Sequence, residues 1–250
     1  MNIIICGVGG RIGRELVTLS NNCYHGIKAV AGVDVVPVKD TDFPCYTSWN
    51  DVKETADCII DFSNHAGTAD LIDFATKKNI PILIATTGHT EQEITLITQA
   101  STKIPVFFSA NMSMGIALLI ELAKITAKAM PEANIEIIEK HHNRKLDAPS
   151  GTALMIANAI KEVRNKASFV LGRSGHGKRT DDEIGIHAIR RGNIVGEHEV
   201  IIGTDTQTIT LKHECHTRAL LAEGAMNAAE FLAGKSCGLY SMQDMIDTVL

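Results

Sequence analysis

Over the first hundred positions the apolar residues come in short unbroken runs rather than in alternation. These runs are Ile3-Ile4-Ile5, Ile27 to Val33, Ala56 to Asp61, Pro81 to Ala85 and Pro105 to Ser109. Strands that are apolar on both faces belong in a parallel sheet covered by helices on both sides. Helices are expected from the glycine loop after Ile5 through Leu19 and from Ala66 to Lys78. The pattern then changes. It predicts a helix over Met114–Met130 ending before Pro131, a strand over Ile135–Glu139, and a helix over Pro149–Val163. Three extended segments fill Ile184 to Cys215, where Thr208, Thr210 and Lys212 alternate with Ile209 and Leu211. That period of two marks a sheet with one wetter face. Arg218–Phe231 and Met242–Leu250 read as closing helices, and Gly172–Asp182, rich in glycine and basic residues, as a mobile loop. The expected class is α/β, with a parallel-sheet domain joined to a second α+β domain that carries a mixed or antiparallel sheet.

Gly7, Gly10 and Gly13 follow the first strand at three-residue spacing and run into a helix. Glycines are needed there because the chain turns sharply and a pyrophosphate must approach bare backbone, on which the helix start presents its N–H groups. Asp34 stands 21 positions after Gly13, at the end of the second strand. This matches the interval of about 20 residues to the acid that binds adenosine ribose hydroxyls. The first domain therefore reads as Rossmann-like. A carboxylate at 34 favours a 2′-hydroxyl over a 2′-phosphate, and Val35 offers no guanidinium, although Arg11, Arg14 and Lys39 are near in sequence. NADH is expected to serve at least as well as NADPH. Ala85-Thr86-Thr87-Gly88 and Ser109-Ala110-Asn111-Met112 end two further strands, where ligands of open parallel sheets bind, and are candidate neighbours of the nicotinamide.

The densest chemistry lies between Glu139 and Ala153, EKHHNRKLDAPSGTA. His141 and His142 are expected just past a strand, with Lys145 in the loop that follows. Histidine titrates near neutrality and suits proton donation, while lysine supplies a positive charge or an acid. Asp147 and Pro149 are expected to open a helix whose first turn includes Ser150, Gly151 and Thr152. Its N–H groups and two hydroxyls make a carboxylate site, and Gly151 allows close approach. A histidine pair or an Asp-x-Pro-Ser helix start is commonplace alone. Packed together within a dozen residues, they point to proton transfer on an anionic substrate.

Composition narrows the classes. Hydrophobic residues make up 45% of the 250 and charged residues 21%, with a formal charge of −5. That balance matches a globular protein and offers no general attraction to nucleic acid or an anionic membrane. Six scattered cysteines without a C-x-x-C pair suit a reducing cytosol. No basic leader and no apolar run of membrane-spanning length are seen, so a cytoplasmic protein is expected. His213, Cys215 and His216 are not expected to hold a metal, because consecutive strand residues face opposite sides and His213 and His216 diverge. His187 and His198 are expected to be structural or to lie on the sheet surface. Trp49 is expected in the core or an interface.

With these residues in hand, the chain resembles the 4-hydroxy-tetrahydrodipicolinate (dihydrodipicolinate) reductases over nearly its whole length. GVGGRIG, DFSNH at Asp61–His65, ATTG at 85, SANMSMG at Ser109–Gly115 and RRGNIVGEH at Arg190–His198 are similar to the family's segments. EKHHNRKLDAPSGTA is the most specific of them. The resemblance implies NAD(P)H-dependent reduction of a cyclic dicarboxylate in diaminopimelate and lysine synthesis. It implies His141 as acid/base and Lys145 as proton donor, with His142, Gly151 and Thr152 on a substrate carboxylate. It gives the cofactor to Gly7, Val8, Gly9, Gly10, Arg11, Ile12, Asp34, Ala85, Thr86, Thr87 and Ser109 to Met112. It also implies a homotetramer built through the second domain's sheet, hinge closure, and a division into 1–112 plus 217–250 and 113–216. Two departures stand out: His65 replaces a usual proline, and Val35 stands where many relatives carry arginine.

Two rival readings are weaker. A related two-domain dehydrogenase acting on an aspartate-derived semialdehyde or other amino acid calls for a catalytic cysteine or a different lysine context, and no cysteine lies near the histidine pair in sequence. A dinucleotide-sensing regulator calls for a DNA- or partner-binding module for which the chain has no spare length.

Overall fold

The computed structural model describes residues 1–249. Chain contacts divide the protein into two compact units, Met1–Ser113 with Ala219–Leu250, and Met114–Arg218.

In the first unit the chain runs β1 (Asn2–Cys6), α1 (Arg11–Asn21), β2 (Lys28–Val33), β3 (Cys45–Tyr46), β4 (Cys58–Asp61), α2 (Thr68–Lys78), β5 (Ile82–Ile84), α3 (Glu91–Ala100) and β6 (Pro105–Phe108). The strands form a parallel seven-stranded sheet, which includes β12 (Gly238–Tyr240), in the order β12-β6-β5-β4-β1-β2-β3. Its central strands are apolar on both faces because both are covered, and Ile3, Ile4, Ile5, Ile59 and Ile60 are fully buried. Burying each such side chain is worth about 1.5–3 kcal/mol. The strand order reverses at β1, which opens a crevice at the carboxyl ends of β1, β2 and β4.

The second unit contains α4 (Met114–Ala129), β7 (Asn134–His141), α5 (Gly151–Val163), β8 (Ser168–Leu171), β9 (Glu183–Arg190), β10 (Gly196–Gly203) and β11 (Thr208–Cys215). Its sheet, ordered β11-β10-β7-β9-β8, is mixed. β7 pairs parallel with β9 and antiparallel with β10. Ile135, Ile137, Val200 and Ile202 pack into one core with Ile116 and Leu119 of α4 and Ile156 and Ile160 of α5. The chain then returns to the first unit through α6 (Ala219–Leu232) and α7 (Met242–Ile246). Among the described residues, no helix is long and apolar enough to cross a membrane.

The parallel first sheet and the mixed second sheet agree with the α/β class read from the sequence. The boundaries differ in instructive ways. β7 runs on to His141, so the histidine closes the strand instead of following it. α5 begins at Gly151, with Ser150 as its N-cap and Pro149 outside it. α3 escaped the apolar pattern, yet Thr90 and Glu93 form a reciprocal capping box at its start, a local signal written in the sequence. Of the helix expected over Met242–Leu250 only Met242–Ile246 forms, and Leu250 lies outside the described residues.

Candidate active site

In the first unit β1 ends in a turn built on close approach. Gly7 has φ +79°, and a Cβ there would lie 2.6 Å from the Phe62 carbonyl oxygen. A Cβ at Gly13 would overlap the Gly7 carbonyl oxygen, so α1 packs against the turn only because position 13 has no side chain. The Gly7 amide donates to the Val33 carbonyl at 2.8 Å, which ties the turn to β2. Gly10 caps α1 without a side-chain hydrogen bond, so no side chain competes for the first-turn amides of Arg11, Ile12 and Gly13. A helix start of this kind attracts phosphate. The Gly9 amide donates to Asp34 Oδ2 at 2.8 Å, and a cavity of 1390 Å³ opens here, lined among others by Gly9, Asp34, Lys39, Trp49, Ser63 and Phe74. The Val35 side chain is 90% exposed. Bare backbone, a helix terminus and a carboxylate at this spacing fit a dinucleotide.

The neighbouring strand ends are polar and ordered. Ala85 and Thr86 are buried after β5, and Thr86 Oγ1 is sequestered with no hydrogen-bond partner. After β6 the Ser109 hydroxyl donates to the Asn111 carbonyl at 2.8 Å, Asn111 Oδ1 accepts from the Ser113 amide at 2.9 Å, and Met112 is buried. His65 Nδ1 lies 3.0 Å from Glu93 Oε1, linking the segment after β4 to the start of α3.

In the second unit the alternation of β7 sends Ile135, Ile137, Glu139 and His141 to the core face. Glu139 is fully buried, and three groups converge on it. His141 Nδ1 lies 2.6 Å from Oε2, Arg190 reaches both oxygens at 2.7 and 2.8 Å, and the Ser150 amide donates to Oε1 at 2.9 Å. Burial pushes this carboxyl up, but the hydrogen bonds from His141, Arg190 and Ser150 outweigh it and hold it at about 2. The ionised carboxylate can only accept, so Nδ1 of His141 carries the proton of that bond.

The start of α5 lies beside this group. The Ser150 hydroxyl accepts from the Ala153 amide at 3.2 Å and meets His198 Nε2 at 3.2 Å. With its amide on Glu139 as well, Ser150 is committed to holding the helix start. Gly151 is exposed, and nothing lies within 4 Å of where its Cβ would stand. His142 has a buried Nδ1 without a hydrogen-bond partner. Burial, with the nearby Arg144 charge, pushes its pKa down. Lys145 Nζ pairs with Asp147 Oδ1 at 2.9 Å, and Asp147 is held below its ordinary value by that contact.

Three residues of this cluster were not singled out in the sequence. Glu139 stood inside the motif without a role, Arg190 lies 51 positions further on, and His198 was read as structural or surface. His198 is buried, as its structural alternative requires, with its ring centroid 5.2 Å from that of His141 at 73°. Its pKa is pushed down to about 4, first by burial and then by the His141 charge. The signal for Glu139 was present: a period-two strand pattern carried on through Ile135 and Ile137 puts a charge where the core lies. No local signal marks the other two. His187, by contrast, pairs with Glu136 at 2.7 Å on the sheet's other face, and Trp49 packs on Phe74 at 4.9 Å.

A parallel sheet with a glycine turn at its switch point, followed in the chain by a helix start beside a histidine–carboxylate pair, defines a nicotinamide-dependent oxidoreductase. Residues 1–112 match the model for the dihydrodipicolinate reductase N-terminus, and residues 115–246 match the model for its C-terminus. The chain belongs to the dihydrodipicolinate reductase family. It is 46% identical to a 4-hydroxy-tetrahydrodipicolinate reductase of Caldanaerobacter subterraneus subsp. tengcongensis, with 98% of each chain covered. It is 42% identical to one from Clostridium tetani, over 99% of this chain and 98% of that one. The fold is similar to that of a dipicolinate-bound dihydrodipicolinate reductase from Paenisporosarcina sp. TG-14, at a TM-score of 0.83 and 24% identity, covering 98% of this chain and 99% of that one.

Proposed function

We propose that this protein reduces 4-hydroxy-tetrahydrodipicolinate to tetrahydrodipicolinate with a reduced nicotinamide dinucleotide, a step toward diaminopimelate and lysine. The observation that carries this reading is the joining of the His141–Glu139 pair to the start of α5 through the Ser150 amide. It sets an acid–base group beside amides suited to a carboxylate. Residues 1–112 with 217–250 serve as the cofactor domain, and residues 113–216 as the substrate domain. The second domain's sheet assembles four copies, which sedimentation tests.

When bound, the reduced nicotinamide supplies the hydride. Gly7, Val8, Gly9 and Gly10 shape the turn that receives the pyrophosphate, the first-turn amides of Arg11 and Ile12 donate to it, and Asp34 accepts the ribose hydroxyls. Ala85 to Thr87 and Ser109 to Met112 flank the nicotinamide end. The amides of Gly151 and Thr152, together with His142, grip a carboxylate of the ring, while Ser150 acts as their N-cap. The 4-hydroxyl leaves as water together with a ring hydrogen; His141, whose Nδ1 is committed to Glu139, has Nε2 left for proton exchange, and the Lys145 ammonium donates the proton that neutralises charge developing on the unsaturated ring so formed. Because Val35, not an arginine, follows Asp34, NADH is used at least as well as NADPH.

The test is to follow loss of reduced-nicotinamide absorbance with NADH and with NADPH, using freshly made product of the preceding synthase as substrate. Turnover with either cofactor supports the reaction. No turnover with the folded, cofactor-bound protein overturns it.

A further inference from the structure

We infer that Glu139, locked by the two-pronged contact of Arg190, is a positioning residue that fixes the orientation and protonation of His141 and ties that ring to the substrate-binding helix start. This rests on the reading that His141 is the acid–base group. Glu139 itself is fully buried and cannot meet substrate. Every bond it makes, however, goes to a part of the site. Oε2 meets His141 Nδ1 at 2.6 Å, and Oε1 takes the Ser150 amide at 2.9 Å, one residue before the carboxylate-binding amides. Arg190 grips both oxygens and with Nη2 also donates to the Asp147 carbonyl at 2.6 Å, in the loop that carries Lys145. One ion pair thus pins the ring, the helix terminus and the lysine loop to each other.

The arrangement also sets the tautomer. An ionised carboxylate only accepts, so it keeps the proton on Nδ1 and leaves Nε2 as the working nitrogen. Nε2 packs beside Gly196, where a Cβ would lie 3.2 Å from it. The charged and titratable groups around the ring are Glu139 from its own strand, Arg190 from β9 and His198 from β10, with His142 next in the chain. Arg190 and His141 touch the same oxygen of Glu139. Removing the negative charge therefore leaves the guanidinium facing the ring with no countercharge between them.

The test compares pH profiles of kcat. Glu139→Gln keeps the volume but loses the charge. It is expected to lower kcat at neutral pH about 100-fold, the cost of a misplaced catalytic group. It should also move the alkaline limb down by about 1–3 pH units, the effect of losing a contacting opposite charge. KM for the dinucleotide is expected to stay unchanged. Arg190→Met combined with Glu139→Gln removes both charges and is expected to bring the limb back toward the parent's. An unmoved limb in Glu139→Gln, or no return in the double variant, overturns the positioning role.

Should Glu139→Gln fail to fold, Glu139→Asp keeps the charge but withdraws it by one methylene. It is expected to lower kcat with the limb in place, and an unchanged kcat counts against the proposal. His141→Asn separates the two levels. If that variant keeps its turnover, the acid–base reading falls. If it is inactive while the Glu139→Gln limb stays put, only the role of Glu139 falls.

Discussion

Gly9 and Asp34, 25 residues apart, are joined by a 2.8 Å hydrogen bond from the glycine's amide to the carboxylate's Oδ2. The acid that the spacing selected for ribose recognition thus also braces the phosphate turn. A second bond, from the Val36 amide to Oδ1 at 3.3 Å, fixes its other oxygen. Both oxygens of the carboxylate are thus held by main-chain amides.

Replacing Asp34 by Ser together with Val35→Arg should therefore turn cofactor choice. Charged hydrogen bonds are worth about 1.5–3 kcal/mol. The ratio of kcat/KM for NADPH over NADH is expected to rise about 10- to 100-fold, and steady-state kinetics with both cofactors measures it. A parent enzyme that prefers NADPH tenfold or more would refute the role given to Asp34.

Lys145→Ala removes the ammonium that pairs with Asp147 at 2.9 Å. Loss of a general acid lowers turnover by about two to four orders of magnitude. Binding of the dinucleotide, titrated by its fluorescence, should not change. Turnover surviving in this variant takes lysine out of the mechanism.

Gly13→Ala introduces a methyl group where the Gly7 carbonyl and the Val8 backbone already stand. Overpacking of this kind costs about 1–3 kcal/mol. The urea midpoint should fall, and dinucleotide affinity should fall with it, because the turn can relieve the clash only by moving. A variant with parental stability and affinity would mean that the helix is free to slide.

His198 should make stability pH-dependent. Burial holds it neutral in the folded state down to about 4, whereas the unfolded chain takes up a proton near the ordinary histidine value. Between those two values the unfolded state binds more protons, so stability falls as pH falls. Glu139, held at about 2, continues the loss below the usual carboxylate range. His198→Gln should flatten the upper window by at most about 1.4 kcal/mol per pH unit, read from urea unfolding at a series of pH values. An unchanged slope would mean that the ring is not protonated on unfolding in that range.

Much of the architecture was legible in the chain because its cause is local. Doubly apolar runs such as Ile3-Ile4-Ile5, bounded by turn residues, mark central parallel strands, and the glycine spacing after them reports a turn that tolerates no Cβ. α3 was passed over because its apolar positions are sparse, although the capping box at Thr90 and Glu93 marked its start. β3, β8 and β12 were missed for another reason. They run two to four residues and lie at sheet edges, where no doubly buried apolar run is required.

What the chain determined by itself was the set of reactive groups: two histidines, a lysine and a helix start compressed into fifteen residues, because local chemistry is written locally. Which of them are neighbours was decided by sheet register. His141 lies opposite Arg190 across a parallel pairing, and Glu139 lies opposite His198 across an antiparallel one. Pairings between strands about fifty residues apart leave no trace in any short window. The buried carboxylate that gathers the ring, the guanidinium and the helix amide therefore exists as a group only once β7, β9 and β10 have closed into one sheet.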